Sequence, residues 1–114
     1  MVYKGNYLTL YVASGEFPGT TQYQDSQRVL EMLQKDGVKY KIGIKPLDSD
    51  ALVAKVRDGY FKFIVGRDEK VSLPLLETMA VDGGIFTGFM GLDEVVRELE
   101  RLNVLEKAQA HQVR

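Results

Sequence analysis

Few side chains in this chain are of the types that carry chemistry near neutral pH. There is one histidine, His111, and no cysteine. The missing thiols remove disulfides, thiolate metal ligands and thiol redox chemistry from these residues' own repertoire. His111 has no cluster of candidate partners beside it and sits in a polar C-terminal segment, so it reads as a surface histidine. Asp48 and Asp50 could hold a cation between them. The same spacing also caps a helix and charges its first turn, which is the expected role. Gly15-Glu16-Phe17-Pro18-Gly19-Thr20, ahead of a helix, could offer backbone N–H groups to an anion. It lacks the lysine and the spacing of a phosphate loop. Lys39, Lys41 and Lys45, with Tyr40 and then Tyr60, Phe61, Lys62 and Phe63, resemble a basic surface on which single-stranded bases could stack. The simpler reading makes the lysines a wet strand face and the aromatics core, so nucleic acid is not the expected partner. Arg67-Asp68-Glu69-Lys70 reads as a solvated turn. No catalytic residue, metal ligand or cofactor is assigned, and the chain is not expected to be an enzyme.

Composition agrees. A length of 114 residues fits one domain, which buries roughly two-thirds of its surface on folding. Fifteen basic and sixteen acidic side chains leave a net charge of −1, so no whole-molecule field draws polyanions or anionic membrane. Residues 7–13 alternate like a strand and are interrupted by Thr9, which is unlike the apolar core of a secretion signal. No stretch approaches transmembrane length. A soluble cytoplasmic domain is expected by default.

The residues of interest are then placed by the elements around them. Val71-Ser72-Leu73-Pro74-Leu75-Leu76-Glu77 is the organising stretch, an apolar run broken by a proline. Proline within a strand removes a ladder donor unless it stands at a strand start or in a fixed turn, where an X-Pro bond is sometimes cis. In that arrangement Leu73 presents a free N–H and C=O beside a cleft. Before it, residues 7–13 form a strand, and Thr21 with Gln24 has the spacing of a capping box for a helix over residues 22–35. Tyr23, Ser26, Leu30 and Leu33 share that helix's inner face, with Val29 beside them, and Gly37 stops it. Residues 38–44 alternate as a second strand with one covered face, ended by Pro46. A short helix follows Asp48 with Leu52, Val53 and Val56 inward, stopped by Gly59. Residues 61–65 read as a further strand, whose exposed edge could pair with a second copy. Asp82-Gly83-Gly84 marks a hairpin. The last helix carries Val95, Val96, Leu99 and Leu102 on one side, with Asp93 and Glu94 in its first turn. The main domain is residues 1–103, and residues 104–114 are expected to form a flexible tail.

The order β-α-β-α, hairpin, α implies an α/β fold: a central mixed sheet of about four strands, with one extra counted at residues 61–65, and helices on both faces. This order resembles a glutaredoxin, within the thioredoxin-fold superfamily, over almost the whole chain. Ser72-Leu73-Pro74 is similar to that family's Thr-Val-Pro with its cis-proline, and Phe86-Thr87-Gly88-Phe89 to its Ile-Gly-Gly turn. Laid over the family's Cys-Pro-x-Cys motif, Phe17-Pro18-Gly19-Thr20 puts Phe17 and Thr20 at the thiol positions. There a helix N-terminus would otherwise activate sulfur. Phe89 replaces the second glycine where glutathione would approach. Residues 60–65 lengthen the connection before Pro74. Tyr11-Val12-Ala13-Ser14-Gly15 and the cysteine-free first helix resemble more closely the Src-homology-3-binding glutamate-rich proteins. The resemblance therefore implies a redox-inactive, glutaredoxin-like adaptor or regulatory subunit. Its protein partner would use a groove formed by Ser14, Phe17, Pro18, Thr20, Leu73, Pro74, Gly88 and Phe89, with Phe17 and Phe89 either plugging it or forming the docking patch. Glutathione or anion binding and single-stranded nucleic-acid binding stand as alternatives.

Overall fold

A computed structural model describes residues 6–35, 42–80 and 85–105. Strand β1 (Asn6–Ala13) is followed by helix α1 (Gln22–Lys35), edge strand β2 (Gly43–Leu47) and helix α2 (Ser49–Arg57). Then come helix α3 (Tyr60–Val65), strands β3 (Leu75–Ala80) and β4 (Phe86–Met90), and helix α4 (Leu92–Arg101). The sheet order is β2-β1-β3-β4. β2 runs parallel to β1 and the other two pairings are antiparallel, with Leu10 opposite both Ile44 and Leu76, and Leu76 opposite Phe89.

The alternation along β1 divides the core into two. Leu8, Leu10 and Val12 join Leu76, Val29 and Leu33 of α1, and Val95 and Leu99 of α4, on one face. Tyr11 and Ala13 join Leu75, Leu52 of α2, and Phe61 and Ile64 of α3 on the other. The helices thus cover both sides of the sheet, as the mixed topology requires.

Several sequence expectations are corrected. Residues 61–65 are helical, not a strand. Gly59 and Gly66 bracket the turn with φ of 81° and 75°, a region glycine enters at no steric cost. The burial then follows a helical spacing, with Phe61 and Ile64 inside and Phe63 77% exposed. A strand would have buried Phe61 and Phe63 together. The self-pairing edge expected there does not exist. β2 runs through Pro46 instead of ending before it, because an edge strand has no ladder partner on its outer side. Its expected covered face is largely open, with Ile44 39% exposed. Residues 38–41 of the expected strand, Gly37 and the Asp82-Gly83-Gly84 turn lie outside the described residues, as do Lys39, Tyr40, Lys41 and His111.

Two caps behave differently. Asp48 accepts the Ala51 N–H at 2.8 Å and caps α2 as expected. The Thr21–Gln24 box does not form: the Thr21 hydroxyl donates to Asp25 Oδ2, and the Thr20 hydroxyl oxygen accepts the Gln22 N–H at 3.3 Å. On α2 only Leu52 is buried, while Val53 and Val56 are 50% and 41% exposed. Val104 and Leu105, expected to begin the tail, are buried, with their N–H groups donated to the Leu99 carbonyl. Residues 106–114 lie outside the described part. The Leu73–Pro74 peptide bond is cis.

Candidate functional site

At one end of the sheet the loop of residues 14–20, the first turn of α1 and the Leu73-Pro74 segment converge. Phe17 closes a tight turn in which its carbonyl accepts both the Thr20 N–H at 3.1 Å and the Thr20 hydroxyl at 2.8 Å. Gly19 supplies the positive φ of 79° that this turn needs. The Phe17 ring is buried in the same cluster as Leu73, so it belongs to the core on the α2–α3 side of the sheet. Ser14, Pro18 and Thr20 remain exposed on the rim. Leu73 does not present a free N–H. Gln22, the first residue of α1, accepts it on Oε1 at 2.7 Å. The Pro74 carbonyl is likewise taken, accepting the Gly91 N–H at 2.9 Å. The Leu73 N–H and the Pro74 carbonyl at this end of the sheet are thus both occupied within the chain.

Gly88 and Phe89 are not part of that end. Both lie within β4, opposite Glu77 and Leu76. Gly88 is buried beneath α3, where an added Cβ would stand 2.8 Å from Ile64 Cγ1. Phe89 is half-buried against the α1–α4 core, on the opposite side of the sheet from Phe17. The glycine that turns the chain into α4 is Gly91, with φ of 90°.

The sequence reading passed over Glu77. Its side chain is 4% exposed in the middle of β3, and its carboxylate accepts hydroxyls from Tyr11, at 3.2 Å, and from Tyr60. Lys55 Nζ stands 5.7 Å from the centre of the Tyr11 ring and 5.8 Å from that of Phe61. Burial first, and then the Glu77 charge, push the Tyr11 phenol up to about 12. Burial and the Glu77 hydrogen bond raise Tyr60 in the same direction. Both phenols stay protonated donors near neutral pH, and both carboxylate oxygens are occupied. The cluster is a clamp between sheet and α3 rather than a nucleophile with a base. One signal was available: Leu75, Glu77 and Met79 fall on one side of a strand, which puts a carboxylate at an inward position.

Of the clefts on the described surface, two flank α3. One, of about 480 Å³, runs between α2 and the segment after α3, past Val53 and Val56, with Arg57, Lys62, Lys70 and Glu69 on its rim. The other, of about 690 Å³, follows the outer edge of β4 between the end of α3 and α4. There Arg67 holds Glu94 through two bonds of 2.7 and 3.0 Å, and the first of the causes that keep the Glu94 carboxyl below its usual range is this hydrogen bonding. Among the described residues no group of three or more His, Cys, Asp or Glu could hold a metal ion, and no helix is long and apolar enough to cross a membrane. No family model, curated protein or solved structure matches this chain.

Proposed function

We propose that the chain is a thioredoxin-like, specifically glutaredoxin-like, domain that has no thiol chemistry and binds another protein. The sheet order β2-β1-β3-β4, with α1 and α4 on one face and α2 and α3 on the other, supports the architecture. The absence of cysteine removes the reactive group on which such a scaffold would rely. Fold alone does not choose a function; the exposed surface carries it.

One observation carries the binding role. α2 leaves Val53 and Val56 in solvent at 50% and 41% exposure, on a groove whose charged lining is Arg57, Lys62, Lys70 and Glu69. Clustered apolar side chains on an outer face mark interaction surfaces. Arg57 and Lys70 leave the groove with an excess of positive charge, although Lys62 is paired with Asp68 at 2.9 Å and Glu69 shares the lining, and that excess favours a partner segment whose apolar residues are flanked by acidic ones. The end of the sheet at residues 14–20 is a poorer docking surface, because Phe17, Leu73 and Pro74 are buried and the Leu73 N–H is taken by Gln22.

Affinity capture from the native extract tests this with wild-type protein and a Val53→Glu/Val56→Glu pair. Loss of the captured partner in the pair, with folding intact, is the expected result. Retention of every partner overturns the docking surface. Turnover of a disulfide substrate by pure protein, or clear heat on titrating glutathione, overturns the role itself.

A further inference from the structure

The two outer strands of the described sheet are protected by different means. β2 carries Lys45 and Pro46, the kind of charge and missing donor that keeps an edge from pairing with another chain. β4 reads Phe86-Thr87-Gly88-Phe89-Met90, with neither charge nor proline, so its own sequence supplies no such guard. Gly88 is nevertheless buried and Met90 is only 7% exposed. The cover comes from outside the strand. An added Cβ at Gly88 would stand 3.1 Å from Val65 Cγ2, at the end of α3. The Met90 N–H is donated to Glu94 Oε1 at 3.3 Å. Arg67 grips the same carboxylate through two bonds of 2.7 and 3.0 Å. Arg67 follows Gly66, which ends α3, and Glu94 stands in the first turn of α4. α3 packs on one face of the sheet and α4 on the other. A side-chain bridge between them must therefore pass round an edge of the sheet, and the Met90 amide places it at β4.

We infer that the Arg67–Glu94 pair is a clasp that closes the β4 edge against strand addition, doing for β4 what Lys45 and Pro46 do for β2. This does not rest on the proposed function, which uses the α2–α3 surface. Glu94 is the guard. Its carboxylate takes the N–H that an incoming strand would need, and an ionised carboxylate has no donor to offer in return. Arg67 is a positioning residue. Two parallel charge-assisted bonds fix the plane of the carboxylate, so that Oε1 stays on the Met90 amide. Both side chains of the pair remain partly in solvent, where an ion pair adds about 0–1 kcal/mol to folding. The effect of the clasp therefore falls on association and not on global stability. Without it, β4 is an uncharged apolar edge of the kind that pairs with other chains.

Sedimentation velocity of the full chain from micromolar to millimolar concentration tests the inference, alongside hydrogen exchange of the Met90 amide at the dilute end. The wild type is expected to stay monomeric throughout. Glu94→Ala is expected to exchange its Met90 amide ~10-fold faster or more and to self-associate as concentration rises. Adding Thr87→Lys to that variant puts on an exposed position of β4 the charge that Lys45 gives β2, and is expected to restore the monomer. A wild-type chain that already self-associates overturns the inference. So does a Glu94→Ala chain that stays monomeric to millimolar concentration, or one whose Met90 amide exchanges no faster than in the wild type. Association that Thr87→Lys leaves unchanged uses another surface and also overturns it. Should Glu94→Ala lose its fold, Arg67→Met leaves the carboxylate in place, removes only its holder, and is judged by the same outcomes.

Discussion

The two faces of the sheet are closed in different ways. Between the sheet, α1 and α4 the packing is almost wholly aliphatic, and Leu10, Val29, Val95 and Leu99 have no exposure at all. Between the sheet, α2 and α3 the core holds Tyr11, Phe17 and Phe61, and a buried carboxylate clamps two phenols. Outside this second layer Val53, Val56 and Phe63 remain in solvent. The first face has spent its apolar side chains on folding. The second is held partly by polar bonds, and some of its apolar surface is left outward, where the proposed partner would dock.

If that contrast is right, substitutions on the two faces separate stability from binding. The largest effect falls on the aliphatic face: Leu99→Ala loses about 2–5 kcal/mol in chemical denaturation and leaves capture by the folded fraction unchanged. Next is the clamp. Glu77→Ala strands two phenol donors and costs about 3 kcal/mol, with α3 amides exchanging first. The same cluster sets an alkaline limit. A phenol whose folded pKa is raised binds its proton more tightly in the folded chain. Its stabilisation is therefore complete below the unfolded value of 10.0 and is lost as pH rises from there through the folded value of about 12. Tyr11→Phe flattens that part of the stability curve.

Smaller still is Gln22→Ala, which frees the Leu73 N–H and costs about 1–2 kcal/mol, read as a lowered denaturation midpoint. If an extended partner uses that N–H, the variant gains a ligand where the wild type has none, and the placement of docking on the α2–α3 face is lost. Smallest for stability is the Val53→Glu/Val56→Glu pair, within about 0.5 kcal/mol per site on an exposed helix face, although it removes binding.

What the sequence made legible follows from period and composition. The mixed sheet, its helices on both faces and the strong 3–4 spacing of α4 were readable because long or strictly alternating segments state their own geometry. α3 was not. Its Tyr-Phe-Lys-Phe-Ile-Val run is β-rich in composition, and six residues are too few for periodicity to speak; only Gly59 and Gly66 betray the turn. The groove at Leu73 was misread because its N–H meets Gln22 across 51 residues, a pairing that no local pattern encodes. Gly88 was taken for a turn glycine and Phe89 for its neighbour, although the constraint on Gly88 is the approach of Ile64 from a helix the sequence had hidden. Gly91, with the positive φ, makes the turn.

The central claim is that the partner covers α2 and α3. Hydrogen exchange of the chain alone and in the captured complex reads this directly. The account predicts new protection over residues 49–65, with residues 14–20 and 73–74 unchanged. Protection confined to residues 14–20 and 73–74, with residues 49–65 as accessible as in the free chain, contradicts it.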